Sequence, residues 1–223
     1  MDGELRRSDV LAAPPAYPLV IGLEDMRLFT FAGYLSASAT VRELRQDGLP
    51  EQVCVTIRRR DDNFEAELDN LKRLTHEPLT CEKNWMPIID YGKKPLWMYR
   101  CDEYTDGHGK NWKRDCPWAI DALGGGTQVI PFHQGYLAIV HEARQIPGAP
   151  TRYYSHRFVS WDEDFNVVKI SKPFGFHEKT IEYAMGLCWH PDVKRLVISY
   201  GFKDCEARLA TVDPEEVIRY FNG

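Results

Sequence analysis

The sequence is poor in the spacings that mark a metal or redox centre. Its six cysteines, Cys54, Cys81, Cys101, Cys116, Cys188 and Cys205, include no CxxC pair. That excludes a zinc ribbon and a dithiol redox motif, and free, mostly buried thiols are expected. No GxSxG elbow, HExxH helix or EF-hand loop occurs, so neither a metal nor an organic cofactor is called for. Basic charge is also in short supply. Lys and Arg number 28 against 33 Asp and Glu, and the formal net charge of −5 gives nucleic acid or an anionic membrane no broad surface to bind. An uncharged or locally captured ligand fits better. The opening "MDGELRRSDVLAAPPAYPLVIG" is broken by Pro14, Pro15 and Pro18 and lacks the apolar core and cleavage site of a leader. A cytoplasmic protein without a membrane span is expected.

What is present is mostly strand-forming. The chain has 223 residues, 43% of them apolar, enough to bury a sizeable core. Short runs of aromatic and β-branched residues alternate with Gly, Pro and Asp, and four segments share one plan: a polar opening, an apolar strand, a tight turn and a second apolar strand. They are "EDMRLFTFAGYLSASATV", "EKNWMPIIDYGKKPLWMYRC", "GTQVIPFHQGYLAIVHEA" and "EYAMGLCWHPDVKRLVISYG". Recurrence at roughly 45 to 60 residues is the spacing of propeller blades. "QVCVTIRRR", "HRFVSWD" and "FNVVKIS" supply further strands, while "RCDEYTDGHGKNWKRDCPW" and "HEARQIPGAPTRYYSH" read as loops. "DPEEVIRYF" predicts one short terminal helix capped by Asp213, with Pro214 in its first turn. In "NFEAELDNLKRL", Phe64, Leu68 and Leu71 have helical spacing, and an outer blade strand competes for the same residues. Residues 1–16 have few apolar anchors and read as a flexible segment, leaving residues 17–223 as a single domain.

In a propeller the inner strands line an axial channel, so the polar openings of the repeats should converge there. The convergent group is Glu24, Asp25 and Arg27, then Glu82, Lys83 and Asn84, then Thr127 and Gln128, then Glu182 and Tyr183, joined by His141, Glu142, Tyr154, His156 and Arg157. Taken singly, each carboxylate beside a Lys or Arg reads as an ordinary ion pair. Recurrence at the head of apolar strands points instead to a polar ligand cavity, because buried charge must be paired. Trp85 is either core or a flat platform for a sugar face, and His156 either a structural imidazole or a ligand contact. "GGGTQ" lacks the spacing and following helix of a phosphate cradle and reads as the start of a close-packed inner strand.

"LEDMRLF", "EKNWMPI", "GGGTQVIPF…GYLAIVHE", "YYSHRFVSWD" and "IEYAMGL…RLVISYGFKDCEA" together resemble the five-bladed β-propeller proteins related to β-mannoside phosphorylases and their mannosidase cousins. The resemblance runs from about Pro18 to Leu209 and implies an all-β propeller of the five-bladed glycosidase type. Since such a ring needs roughly 300 residues at about 50 per blade, this chain is expected to hold about four blades and to lack the first. It implies Asp25, in an "EDPR"-like motif with Met26 in place of the proline, as general acid, with Arg27 nearby. Lys83, Asn84, His141, Tyr154 and His156 become contacts for phosphate or sugar hydroxyls, and Glu82, Trp85, Gln128, Glu142 and Asp204 join the binding set. Glu182 is a second catalytic carboxylate for hydrolysis, alongside Glu82 and Glu142. Phosphate would be a co-substrate, the ligand an oligosaccharide or glycoside, and another copy or a partner chain would complete the ring. The alternative is a non-catalytic carbohydrate-binding or scaffold propeller beside glycosyltransferases of surface-polysaccharide synthesis.

Overall fold

A computed structural model describes residues 22–74, 81–89, 95–145 and 152–222. The expected flexible segment 1–16 lies outside these, as do the turn at Tyr91–Lys93 and the tip of the second expected loop.

Four antiparallel sheets follow one another along the chain, each a meander in sequence order. Blade 1 holds β1 (Glu24–Phe31), β2 (Tyr34–Val41), β3 (Glu51–Arg60) and β4 (Asn63–Leu74). Blade 2 holds β5 (Met86–Ile88), β6 (Leu96–Arg100), β7 (Glu103–Thr105) and β8 (Asn111–Lys113). Blade 3 holds β9 (Ile130–Phe132), β10 (Gly135–Gln145), β11 (Arg152–Asp162) and β12 (Val167–Ile170). Blade 4 has three strands, β13 (Glu182–Trp189), β14 (Leu196–Phe202) and β15 (Glu206–Val212), and α1 (Pro214–Asn222) follows. The protein is therefore all-β, a four-blade propeller arrangement with one short C-terminal helix. The four repeated segments are the first two strands of each blade. At the first of their turns Ala32 and Gly33 both have positive φ, 50° and 82°, as a two-residue hairpin between right-twisted strands demands.

Alternation along the strands buries one face of each blade against the next. Phe29 of blade 1 packs on Trp85 and Trp97 of blade 2. Met86, Ile88 and Met98 meet Ala138, Val140, Val159 and Trp161 of blade 3. Leu137, Ile139 and Phe158 meet Ala184, Leu187, Leu196 and Ile198 of blade 4, with Val217 of α1 sealing that layer. Each such aliphatic or aromatic side chain, fully buried, contributes about 1.5–3 kcal/mol. The helix is capped as its sequence predicts, with the Glu215 amide donating to Asp213 Oδ1 over 2.9 Å.

One open reading is decided and two sequence expectations change. "NFEAELDNLKRL" is the strand β4, whose pairing slips between the Thr56–Glu67 and Cys54–Lys72 partners. That bulge brings Ala66 and Leu71, five positions apart, onto one packed face, while Phe64, the first of the helically spaced residues, is exposed. The polar stretch after Arg100, expected as a loop, forms the outer hairpin β7–β8, held by Tyr104 stacked on Trp112 at 5.2 Å. All six cysteines are free as expected, but only Cys101 is buried, while Cys81, Cys188 and Cys205 are exposed. They sit before β5, on β13 and in the β14–β15 turn, where no neighbouring blade covers them. No described helix is long and apolar enough to cross a membrane.

Candidate functional site

The inner strands β1, β5 and β13 meet the segment leading into β9, and Ile88 at the end of β5 is tied by a parallel bridge to Val129, just before β9. Their lead-ins can approach because blade 3 starts on glycines. A Cβ on Gly125 would stand 1.9 Å from the Asn84 carbonyl oxygen, and one on Gly126 would stand 2.2 Å from that of Ile139. The glycine run therefore does start a close-packed inner strand.

Arg27 lies at this convergence with 0% exposure. Its Nε donates to the Gly126 carbonyl, Nη1 to the Asp25 carbonyl at 2.7 Å, and Nη2 to Asn84 Oδ1 at 3.3 Å and to the Tyr183 hydroxyl. One guanidinium thus touches all four blades. Tyr183 Oη lies 2.8 Å from Asn84 Oδ1 and 3.1 Å from the Gly125 carbonyl, so its single proton serves one or the other. Burial pushes the Tyr183 phenol well above its ordinary range, partly countered by Arg27. It is neutral at any working pH.

His141 continues the cluster. Its ring stands 5.0 Å from that of Tyr183 and 5.5 Å from that of Tyr154. Nδ1 is 2.9 Å from the Gly125 carbonyl, which fixes the proton on that nitrogen and leaves Nε2 as an acceptor. Burial, with help from His156, Arg27 and Lys83, pushes this imidazole down to about 3. It therefore meets a ligand as a neutral ring and supplies no positive charge to a phosphate.

Asp25 sits in a bulge between the Glu24–Thr40 and Arg27–Ser38 pairs with φ +51°. That left-handed geometry is one that Asp tolerates better than most residues. Its carboxylate is half-buried, close enough to Tyr183 to act on it electrostatically, and makes no hydrogen bond or ion pair with another described residue.

The other expected site residues divide by what holds them. Lys83 is exposed beside Asn84 and contributes to depressing His141, so it belongs to the axial group. Tyr154 forms one wall of it, 6.1 Å from Tyr183. Glu82 is buried and accepts from the indole of Trp85 at 2.9 Å. Trp85 itself is 0% exposed, edge-on to Tyr99, and offers no face to a sugar. Gln128 stitches β1 to β13, donating to the Leu28 carbonyl over 2.6 Å and accepting from the Leu187 amide over 2.9 Å. His156 is fully buried, accepts from the Ala184 amide at 3.3 Å and is pushed down to about 4 by burial, against the pull of Glu182.

Glu182 is fully buried, and its two oxygens accept the amides of Phe176, His177 and Glu178 at 2.7, 2.8 and 3.0 Å. Its lone pairs hold a loop. Glu142 is engaged in a two-pronged pair with Arg144, at 2.8 and 2.9 Å. Asp204 is exposed in the β14–β15 turn and is not gathered with the rest. Tyr183, in the convergent group but given no role there, is as central as Arg27. The Gly125 and Gly126 carbonyls were missed, since a backbone acceptor leaves no trace in side-chain chemistry. Among the described residues no group of three His, Cys, Asp or Glu could hold a metal ion.

Structural comparison finds the same fold in solved proteins. A scan of protein-family models and a search of curated proteins give no match. Several solved structures are similar, among them the following three. A putative glycoside hydrolase from Bacteroides ovatus has a TM-score of 0.56 and 16% identity over 86% of this chain and 69% of its own. A structure described under the GH130 family of mannoside phosphorylases, as containing glycoside hydrolases that target β-1,2 mannosidic linkages in Candida mannan, has a TM-score of 0.57 and 13% identity over 87% and 66%. A GDP-Man-dependent mannosyltransferase from Leishmania mexicana has a TM-score of 0.58 and 14% identity over 86% and 68%. The chain spans about two thirds of these proteins. At such identity the likeness is one of fold, the glycosidase-type propeller.

Proposed function

We propose that this propeller acts on β-mannosides or related glycosides at its axis, with Asp25 as the one proton donor and inorganic phosphate as the attacking group. The observation that carries this reading is the commitment of every other nearby carboxylate. Glu24 pairs with Arg42, Glu82 holds the Trp85 indole, Glu142 pairs with Arg144, and Glu182 is tied to three backbone amides. Among these described carboxylates, Asp25 alone has no hydrogen-bond or ion-pair partner among the described residues. Hydrolysis with inversion needs a second carboxylate about 6.5–9.5 Å from the acid to activate water. Phosphorolysis needs only the acid, because the co-substrate is itself the nucleophile. Lys83 is an exposed nearby cation without an ion pair among described residues and would steady the phosphate, while Asn84, His141 and Tyr154 would contact sugar hydroxyls. The mannose-related neighbours support the choice of sugar.

The test is incubation with β-linked mannooligosaccharides with and without phosphate. Sugar phosphate forming only when phosphate is present is expected, with Asp25→Asn slower by about 10²–10⁴-fold, the usual worth of general acid catalysis. Absence of any cleavage by the wild-type protein refutes the catalytic reading. The saturation of Arg27 and Glu182 by structural contacts favours a second reading, a non-catalytic carbohydrate-binding or scaffold propeller working beside a glycosyltransferase. It requires saccharide binding that Asp25→Asn leaves intact, and no turnover.

A further inference from the structure

Between blades 3 and 4, beside the axial cluster, lies a cleft of about 380 Å³, within the range of small-ligand sites. The end of β10 and start of β11 form one wall with Arg144, Tyr153 and Tyr154, and the segment leading into β13 forms the other with Phe174, His177 and Lys179. Tyr154 is common to both places, since its ring also stands 5.5 Å from His141 at the axis. That second wall is rigid where it matters. The loop Phe176–Glu178 is nailed from behind by three amide hydrogen bonds to Glu182, and His177 Nε2 is 3.0 Å from the Tyr200 hydroxyl.

The charges around the cleft do not cancel evenly. Arg144 is matched by Glu142, Glu178 by Lys203 at 3.2 Å, and the buried Glu182 charge by the three amide dipoles. Lys179 lines the cleft, is exposed and has no ion-pair partner among the described residues. Arg144 gives Nε and Nη2 to Glu142 and also hydrogen-bonds the side chain of Tyr153. On a chain of net charge −5 this is a local positive site between aromatic walls.

We propose that the cleft binds a sugar unit carrying an acidic group, a carboxylate or a phosphate ester, with Lys179 and Arg144 facing the anion and Tyr153 and Tyr154 covering the ring. The sugar as the class of ligand rests on the carbohydrate reading above; the preference for an anion rests on Lys179 and Arg144 alone. A sugar seated there reaches the axis past Tyr154, so acidic decoration of a glycan would select which chains approach Asp25.

Calorimetric titration of the whole protein with D-mannose, D-mannuronate, mannose 6-phosphate and inorganic phosphate tests this. At least one acidic sugar should bind about tenfold more tightly than mannose, or 1.4 kcal/mol, and the stronger of the two identifies the group read. Lys179→Gln should erase that difference while leaving the unfolding midpoint unchanged. Mannose binding as tightly as both acidic sugars, inorganic phosphate binding as tightly as mannose 6-phosphate with mannuronate ignored, no binding by either acidic sugar, or a preference that survives Lys179→Gln would each overturn the proposal. Assay of the wild-type protein for glycoside cleavage separates this reading from the catalytic one. Cleft binding retained in a protein that cleaves no glycoside leaves the cleft standing and the axial chemistry refuted, and cleavage without acidic preference does the reverse.

Discussion

Replacing Arg27 by Met should weaken the whole propeller, because one side chain holds the inner ends of all four sheets. The substitution keeps most of the buried volume and removes the donors. The carbonyls of Gly126 and Asp25 then lose the guanidinium, whereas Asn84 Oδ1 keeps the Tyr183 hydroxyl within 2.8 Å. Hydrogen bonds from a charged donor contribute about 1.5–3 kcal/mol each. Against that loss stands the cost of burying a cation that no carboxylate neutralises, itself several kcal/mol. The difference left is about 2–4 kcal/mol of destabilisation, or roughly 5–15 °C in melting temperature for a chain of this size. Urea denaturation followed by tryptophan fluorescence measures it directly. Arg27→Lys should recover less than half, since an ammonium is a point donor and cannot span four acceptors on different blades. A midpoint for Arg27→Met within about 0.5 kcal/mol of wild type would refute the idea that this network joins the blades, and Arg27→Lys matching wild type would refute its geometry.

Three further outcomes follow from the same interactions. His141 and His156 have folded pKa values near 3 and 4, below an unfolded value of about 6.5. The unfolded chain therefore takes up protons first as pH falls, and stability is flat above pH about 6.5 and is lost below it. At pH 5 the loss is about 2 kcal/mol per ring, and His156→Gln should roughly halve the difference between urea midpoints at pH 7.5 and 5. Glu182→Gln should lower stability by about 1–3 kcal/mol, by spoiling the cradle of the Phe176, His177 and Glu178 amides, and thermal melts should show it; Asp25→Asn should leave the melt unmoved. Gly125→Ala should prevent normal assembly, since the added carbon would meet the Asn84 carbonyl at 1.9 Å, visible as loss of near-ultraviolet circular dichroism or of soluble protein.

The repeat was legible because a blade's first hairpin writes itself locally, as alternating apolar residues around a turn such as Ala32–Gly33. So was the meeting of Arg27, Asn84 and Tyr183, since polar residues at the heads of apolar strands have few places to go but the axis. What could not be read was how each group is spent once there. Glu182 and Asp25 look alike in the sequence, each beside an apolar run. Only the loop folding back through Phe176–Glu178 makes the first a structural acceptor, while a bulge leaves the second unpartnered. Trp85 adjoins charged residues in sequence, yet blade 1 packs over its ring, and packing between blades is set by pairs nearly seventy residues apart, such as Phe29 and Trp97. Whether β4 was helix or outer strand stayed open for a related reason, since its packed residues Ala66 and Leu71 share a face only through a bulge.

The axial network also decides how the acid can be set. Asp25 holds a left-handed backbone angle, and its own carbonyl is gripped by Arg27 at 2.7 Å. The guanidinium that ties the sheets together therefore also fixes the direction of the Asp25 side chain, and Tyr183, bonded to that guanidinium, lies within electrostatic reach of the carboxylate. Stability and site geometry share the same hydrogen bonds. A second substitution elsewhere that restores the melting temperature of Arg27→Met, for example one tightening the α1 layer around Val217, would repair the first and not the second. Such a rescued protein should fold like wild type and still lose any glycoside cleavage or axial saccharide binding. Recovery of both by a distant stabiliser would mean that Arg27 serves the fold alone, and that Asp25 is oriented by its bulge without help.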